Sequence, residues 1–349
     1  MFRNLIHFIF VLFVLAAAVA FPARWMIERS YHDPETHYYR IEDRDRKPDS
    51  GEIEHDSLRF AVVSDLYNYV FEGGNSAIAQ KVSDISPDAI LVCGNMITPD
   101  ASGTSVVSGL VKSLSQIAPV YYSYGEEEIK YAKAHLAEDG TDPLRAAIEE
   151  AGGTVLNEEY KDVSLYGVLF RVGSIHQQAY ELQNLRGEVK KRFQGTWDLL
   201  NKFQDTERFK ILMTDGPESF IYGDACEKWS VDLVVSGKTL GGKAVIPFKG
   251  GVFGGSQGYF PEYVHGLYKK GDVILFITSG LSAPEDMIPR FNNPPEVVVM
   301  DINGIDSDTA RKAEEEAEKA RKAEKKKKEE EKKKAEEAKK ESDGNDGES

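Results

Sequence analysis

Five consecutive segments alternate between short β-rich apolar runs and longer amphipathic ones, and this alternation constrains the fold more than any other feature of the chain. Leu58 to Ser64 (LRFAVVS) reads as a buried strand, Asn75 to Ile85 as a helix, Ala89 to Cys93 as a strand, Thr104 to Ile117 as a helix and Val120 to Tyr124 as a strand. A βαβαβ opening of this spacing predicts parallel strands joined by right-handed crossovers, with a functional cleft at their carboxyl ends. A helix near Pro143 to Ala151 and a hairpin near Val155 to Val172 are expected next. A helical stretch over Leu182 to Phe203 and strands at Phe209 to Met213 and Asp232 to Ser236 follow. The remainder, Ala244 to Ile302, reads as strand and Gly-rich turn, so a mixed-sheet sandwich covered by helices is predicted.

The two ends are of a different kind. Leu5 to Phe21 is apolar except for His7, lies between Arg3 and Arg24, and falls below the roughly 20 residues that span a bilayer comfortably. Ala18-Val19-Ala20 has the small-x-small form of a signal-peptide cleavage site, so residues 1–25 are a leader or a retained anchor. Either version predicts a protein at the cell membrane or exported, with the membrane as a partner through this segment. Residues 26–57 read as a juxtamembrane linker, 58–302 as the globular domain and 303–349 as a charged low-complexity tail. Within that tail, Arg311 to Glu341 holds 14 Lys+Arg and 11 Glu without an apolar stripe, which predicts a solvated helix supported by i,i+4 pairs and free to meet a protein partner. Two cysteines, Cys93 and Cys226, are too few for a disulfide framework and lack zinc-site spacing, so both are expected as small buried residues. The net charge of −15 argues against a nucleic-acid partner, because a phosphate backbone would be repelled.

The predicted strand ends carry an ordered series of strings: Ser64-Asp65-Leu66-Tyr67, Cys93-Gly94-Asn95-Met96, Tyr124-Gly125-Glu126-Glu127-Glu128, Thr214-Asp215-Gly216-Pro217-Glu218 and Ser236-Gly237-Lys238-Thr239-Leu240-Gly241-Gly242. In order and spacing they resemble the calcineurin-like metallophosphoesterases, especially the bacterial membrane-associated branch, whose strings read S-D-L-H, G-D-M, G-N-H-E, A-H-x-P-E and S-G-H-T-H-G-G. The likeness runs from about Leu58 to Ile302 and includes Pro289-Arg290-Phe291-Asn292-Asn293-Pro294-Pro295-Glu296. It implies a four-layer α/β/β/α sandwich of two mixed sheets, with ligands on the loops after the strands.

That resemblance also implies two divalent metals bridged by a carboxylate and a metal-bound hydroxide attacking a phosphate ester. Only Asp65 is unchanged among the eight site positions it identifies. Tyr67 stands where a histidine ligand belongs, and a neutral phenol is a poor donor. Asn95 replaces the bridging aspartate, Glu126 the asparagine ligand and Glu127 the histidine beside the leaving group. Asp215, Lys238 and Leu240 take the last three histidine positions; a protonated lysine offers no lone pair and a leucine no ligand atom. The seven histidines all lie outside these strings, and surface or core placement is expected for them. Four acids against Lys238 alone predict a cleft that repels a phosphate dianion.

Two readings follow. In the first, the protein keeps the fold without catalysis or cofactor and acts in the cell envelope by binding, through the cleft or the tail, or as a scaffold. In the second, the carboxylates of Asp65, Glu126 and Asp215 with the amide oxygen of Asn95 form an oxygen-only set for Mg²⁺, Mn²⁺ or Ca²⁺ in a divergent phosphoesterase. The first reading makes a local prediction: Lys238 should reach Asp65 or Asp215 with its ammonium, and Leu240 should close the cavity with apolar surface. Elsewhere, Gly250 to Ser256 reads as a turn rather than a phosphate loop, and Tyr121, Tyr122 and Tyr124 as strand packing.

Overall fold

A computed structural model of the chain describes residues 2–32, 34–42 and 57–303, apart from 72, 167, 177–178, 180–183 and 285–287. The charged tail expected beyond residue 303 lies outside the described residues. The first helix, α1 (Phe2–Arg29), contains the apolar stretch; its segment Ile9–Arg29 has a mean hydropathy of 2.1 with none of its apolar window buried, and it is long and apolar enough to cross a membrane.

Two six-stranded sheets follow. The first contains β1 (Glu35–Glu42), β2 (Ser57–Val63), β3 (Ala89–Val92), β4 (Val120–Ser123), β5 (Gly153–Leu156) and β14 (Glu296–Asn303), in the order β1-β14-β2-β3-β4-β5. Strands β2 to β5 are mutually parallel, and β3 and β4 are buried along their whole length, as a sheet covered on both faces requires. Their crossovers are α2 (Ser76–Ile85), α3 (Ser105–Ser115) and, after α4 (Glu126–Ala134), α5 (Pro143–Glu150). Each presents an apolar stripe at helical spacing, such as Ile78, Val82 and Ile85 in α2. Asp142 caps α5 by accepting from the Leu144 and Arg145 N–H groups, with Pro143 at the first helical position.

The second sheet contains β6 (Tyr160–Leu165), β7 (Val168–Ile175), β8 (Phe209–Thr214), β9 (Leu233–Ser236), β12 (Gly266–Lys270) and β13 (Val273–Ile277), in the order β12-β13-β9-β8-β7-β6. Its outer face is covered by α6 (Gly187–Gln204), α7 (Glu218–Ile221) and α8 (Ala225–Lys228), which share a core with Leu212, Val234 and Leu275. Phe60, Leu91, Tyr121, Phe170, Ile211 and Val298 fill the space between the sheets, with the Phe60 and Phe170 rings edge to face at 5.5 Å. The architecture is the expected α/β/β/α sandwich.

Three local expectations change. Residues Glu35–Glu42, read as linker, form an edge strand pairing in parallel with β14, which shields a strand that would otherwise expose its backbone. The run near Val155 to Val172 is not one hairpin: Gly153–Leu156 closes the first sheet, while β6 and β7 pair in the second. The expected helix over Leu182 to Phe203 begins, among the described residues, at Gly187. The remaining small expectations agree: Gly250–Gly251 is one arm (β11) of a two-residue ladder with Val245–Ile246 (β10), and the Tyr121, Tyr122 and Tyr124 side chains are buried. Cys93 is buried too, whereas Cys226 is only half-buried.

Candidate functional site

The carboxyl ends of β2, β3, β4, β8 and β9 converge. Asp65, just after β2, is fully buried and accepts hydrogen bonds from Ser64 Oγ (2.9 Å), Asn95 Nδ2 (3.2 Å) and the Lys238 backbone N–H (3.1 and 3.0 Å to its two oxygens). Asp215, just after β8, accepts from Asn95 Nδ2 (2.9 Å), the Glu126 N–H (3.1 Å) and Lys238 Nζ (2.6 Å). The same ammonium donates to Glu126 Oε2 at 2.9 Å. So Lys238 reaches Asp215 with its side chain and Asp65 with its backbone. Gly125 and Gly237 allow this approach: a Cβ on Gly125 would lie 2.6 Å from Asn95 Oδ1, and one on Gly237 would lie 2.5 Å from Asp65 Oδ2.

Five of the eight positions that the resemblance picks out hold left-handed backbone without being glycine: Asp65 (φ 57°), Tyr67 (φ 50°), Asn95 (φ 54°), Lys238 (φ 69°) and Leu240 (φ 53°). Each costs on the order of 1–2 kcal/mol, and strain of this kind concentrates where loops aim side chains at one point. The loops after the strands thus aim these five side chains at one region.

Electrostatics follows from who donates to whom. Burial pushes the Asp65 carboxyl up to about 7, against the donors that favour its ionised form. For Lys238 burial opposes the charge, but Asp215 and Glu126 hold the ammonium well above the ordinary lysine range. Hydrogen bonds from Lys130 and then Lys238 bring Glu126 down to about 2. Tyr67 is pushed well above a free phenol by burial and by Asp65 and Asp215, so it offers no phenolate. Glu127 turns outward to Lys130 (2.9 Å).

These residues do not fit a metal pair. The Asn95 atom shared by Asp65 and Asp215 is the amide nitrogen, which has no lone pair to give, while its oxygen accepts from the Glu127 N–H at 3.3 Å. The oxygen-only set of Asp65, Asn95, Glu126 and Asp215 is therefore crossed by protein donors. Leu240 departs from expectation differently: it is buried in a 3₁₀ turn (Leu240–Gly242), its carbonyl accepts from Asn293 Nδ2 (2.8 Å), and it does not line the cleft.

The cleft beside Lys238 has a volume of about 610 Å³ and carries Lys130, Lys133, Arg192 and Lys238 against Glu126, Asp215 and Glu218. The expected repulsive cleft is corrected here, because α4 and α6 bring cations that the strand-end strings do not contain. His176 also lines it, its buried Nδ1 making no hydrogen bond and lying 3.9 Å from Glu158 Oε1, so one of the histidines set aside in the sequence belongs to the cleft. Burial lowers its pKa, favouring the neutral ring. Glu128, read only as part of a string, is fully buried and accepts from the N–H groups of Asn95 (2.7 Å), Met96 (2.7 Å) and Gly125 (2.9 Å) and from Tyr122 Oη (2.8 Å). It fixes the Asn95 loop to the start of α4. Arg290 is buried likewise, donating to the carbonyls of Ser279, Ser282, Asn293 and Pro294.

No family model matches this sequence, and no curated protein matches it. Among solved structures, the chain is similar to the phosphopantetheinyl hydrolase PptH of Mycobacterium tuberculosis at 11% identity, covering 64% of this chain and 89% of that one with a TM-score of 0.40. It is similar to the NAD nucleotidase NadN of Haemophilus influenzae at 13% identity, covering 64% of this chain and 46% of that one with a TM-score of 0.39.

Proposed function

We propose that the protein has the calcineurin-like metallophosphoesterase fold, no longer hydrolyses phosphate esters, and acts at the cell envelope by binding or as a scaffold. One observation carries this reading: Lys238 Nζ and Asn95 Nδ2 donate to the carboxylates that would otherwise face metal ions. The retained left-handed loops support descent from a metal site, and the substituted side chains support its loss. No cofactor is needed to neutralise Asp215, since a tethered ammonium does so. The cleft, with its mixed charge, and the tail are the two places for a protein partner, and α1 supplies the membrane contact as an uncleaved anchor or as a leader removed after Ala20.

The test is hydrolysis of generic phosphomonoesters and phosphodiesters by the full chain in detergent, with Mg²⁺, Mn²⁺ or Ca²⁺ supplied. The expected result is no turnover above that of Asp65→Ala. Turnover that disappears in Asp65→Ala would establish the oxygen-ligand phosphoesterase instead. Targeting is read separately by intact mass: a chain beginning at Phe21 means cleavage, and the full-length mass in a carbonate-resistant membrane fraction means an anchor.

A further inference from the structure

Glu296 opens β14 and is fully buried, on the far side of the Thr278 to Gly280 loop from Asp65. Its two oxygens are treated differently. Oε1 is fixed from inside by Thr278 Oγ1 (2.7 Å) and the Ser279 N–H (2.6 Å). Oε2 points outward, where His37 Nδ1 (2.8 Å) and His265 Nε2 (2.9 Å) both meet it. His37 comes from β1 and His265 from the residue before β12, so three separate parts of the chain deliver one carboxylate oxygen and two imidazole nitrogens to one point. Among the described residues, this is the one group of three such side chains whose ligand atoms all lie within 4.8 Å of one another.

We propose that His37, His265 and Glu296 form a binding site for a transition-metal dication of the zinc class, which clasps the N-terminal strand to the domain. Two nitrogen donors and one carboxylate suit zinc and disfavour the hard cations Mg²⁺ and Ca²⁺. Tetrahedral zinc with bonds of about 2.0–2.1 Å sets its ligand atoms roughly 3.3 Å apart, so each imidazole need retreat by only about 0.5 Å. The outer shell is in place: the other ring nitrogen of His37 lies 3.5 Å from Glu35 Oε2, the carboxylate–histidine arrangement that orients a metal-bound imidazole. Tyr39 Oη lies 3.4 Å from His265 Nε2, the ligating nitrogen itself, on the same face of β1, a contact that the metal would replace. The His37 and His265 side chains are 38% and 37% exposed, which leaves an entry path and an open fourth position. None of the three residues lines the cleft, so the inference is independent of the function proposed above.

The experiment is a zinc titration of the full chain in detergent, stripped with chelator and read against a competing chromophoric chelator. One zinc per chain is expected. His37→Gln and His265→Gln should each weaken it more than about 100-fold, and Glu35→Gln, acting through His37, by about tenfold. Cobalt should give the visible absorption of a tetrahedral site in the unaltered chain only. As a measurement that needs no variant, zinc should protect His37 and His265, and not the other histidines, from acylation by diethyl pyrocarbonate. Absence of stoichiometric zinc, an affinity unchanged in both histidine variants, or acylation of His37 and His265 unaffected by zinc would each overturn the proposal.

Discussion

Asp215 and Glu296 are both buried carboxylates of the same sandwich, and they are satisfied in opposite ways. Asp215 meets an ammonium tethered to the chain at Lys238 and the amide of Asn95, donors that cannot leave and carry no lone pair toward it. Glu296 meets two imidazoles, groups that can give up a proton and turn a lone pair to a cation. The strand-end carboxylates are thus met by the chain's own donors, while the His37–His265–Glu296 cluster has the chemistry of an exchangeable site. Exposure does not separate the two sites, since Asp215 and Glu296 are 6% and 0% exposed while Lys238, His37 and His265 are each more than one-third exposed, so the difference lies in the chemistry of the donors.

Substitutions should separate the two regions by size of effect. The largest loss is expected for Glu296→Ala in the presence of chelator, about 3–5 kcal/mol by urea denaturation, because four donors lose a buried acceptor. A loss under about 1 kcal/mol would show that the cluster is a surface contact. Lys238→Ala should cost less, about 1–3 kcal/mol, since its ammonium is 38% exposed and Asp215 keeps two other donors. An unchanged stability would mean that the ammonium does not neutralise Asp215.

The pH dependence sharpens the contrast further. Asp65 binds its proton more tightly folded, near 7, than unfolded, near 3.8, so it contributes stability that is complete below the lower value and is lost as pH rises through the higher. Urea stability of the unaltered chain should therefore fall relative to Asp65→Asn between about pH 4 and 7 and level off above that. Parallel profiles would contradict this. Glu126 acts with the opposite sign and outside that window, losing its contribution as pH falls through about 2. The smallest effect is expected for Lys130→Ala: its ammonium and Glu126 are each about half exposed, and a loss below about 1 kcal/mol in the same assay is predicted.

Much of this was legible in the sequence for a physical reason. Asp65, Asn95, Asp215 and Lys238 sit at the ends of short apolar runs, where a parallel sheet must place them together, and charge balance then pairs Lys238 with an acid. Other features depend on contacts that local pattern does not carry. Glu35–Glu42 has alternating polar residues beside a leader and reads as linker until β14 offers a partner. His37 and His265 have no motif spacing, and only the packing of β1 against the start of β12 joins them. Lys133 and Arg192 face the cleft from helices, so strand-end strings could not report its charge. Glu128 was visible, but its burial beneath the Asn95 loop was not, and Leu240 turned into the core rather than the cleft because its loop adopts a 3₁₀ turn.

The most direct test of the account is anomalous diffraction from crystals of the full chain soaked with Mn²⁺, with the region between Asp65 and Asp215 inspected for a cation. The account predicts no peak there and Lys238 Nζ still bonded to Asp215. A manganese peak ligated by Asp65, Glu126 and Asp215, with the Lys238 side chain swung out to solvent, would contradict it.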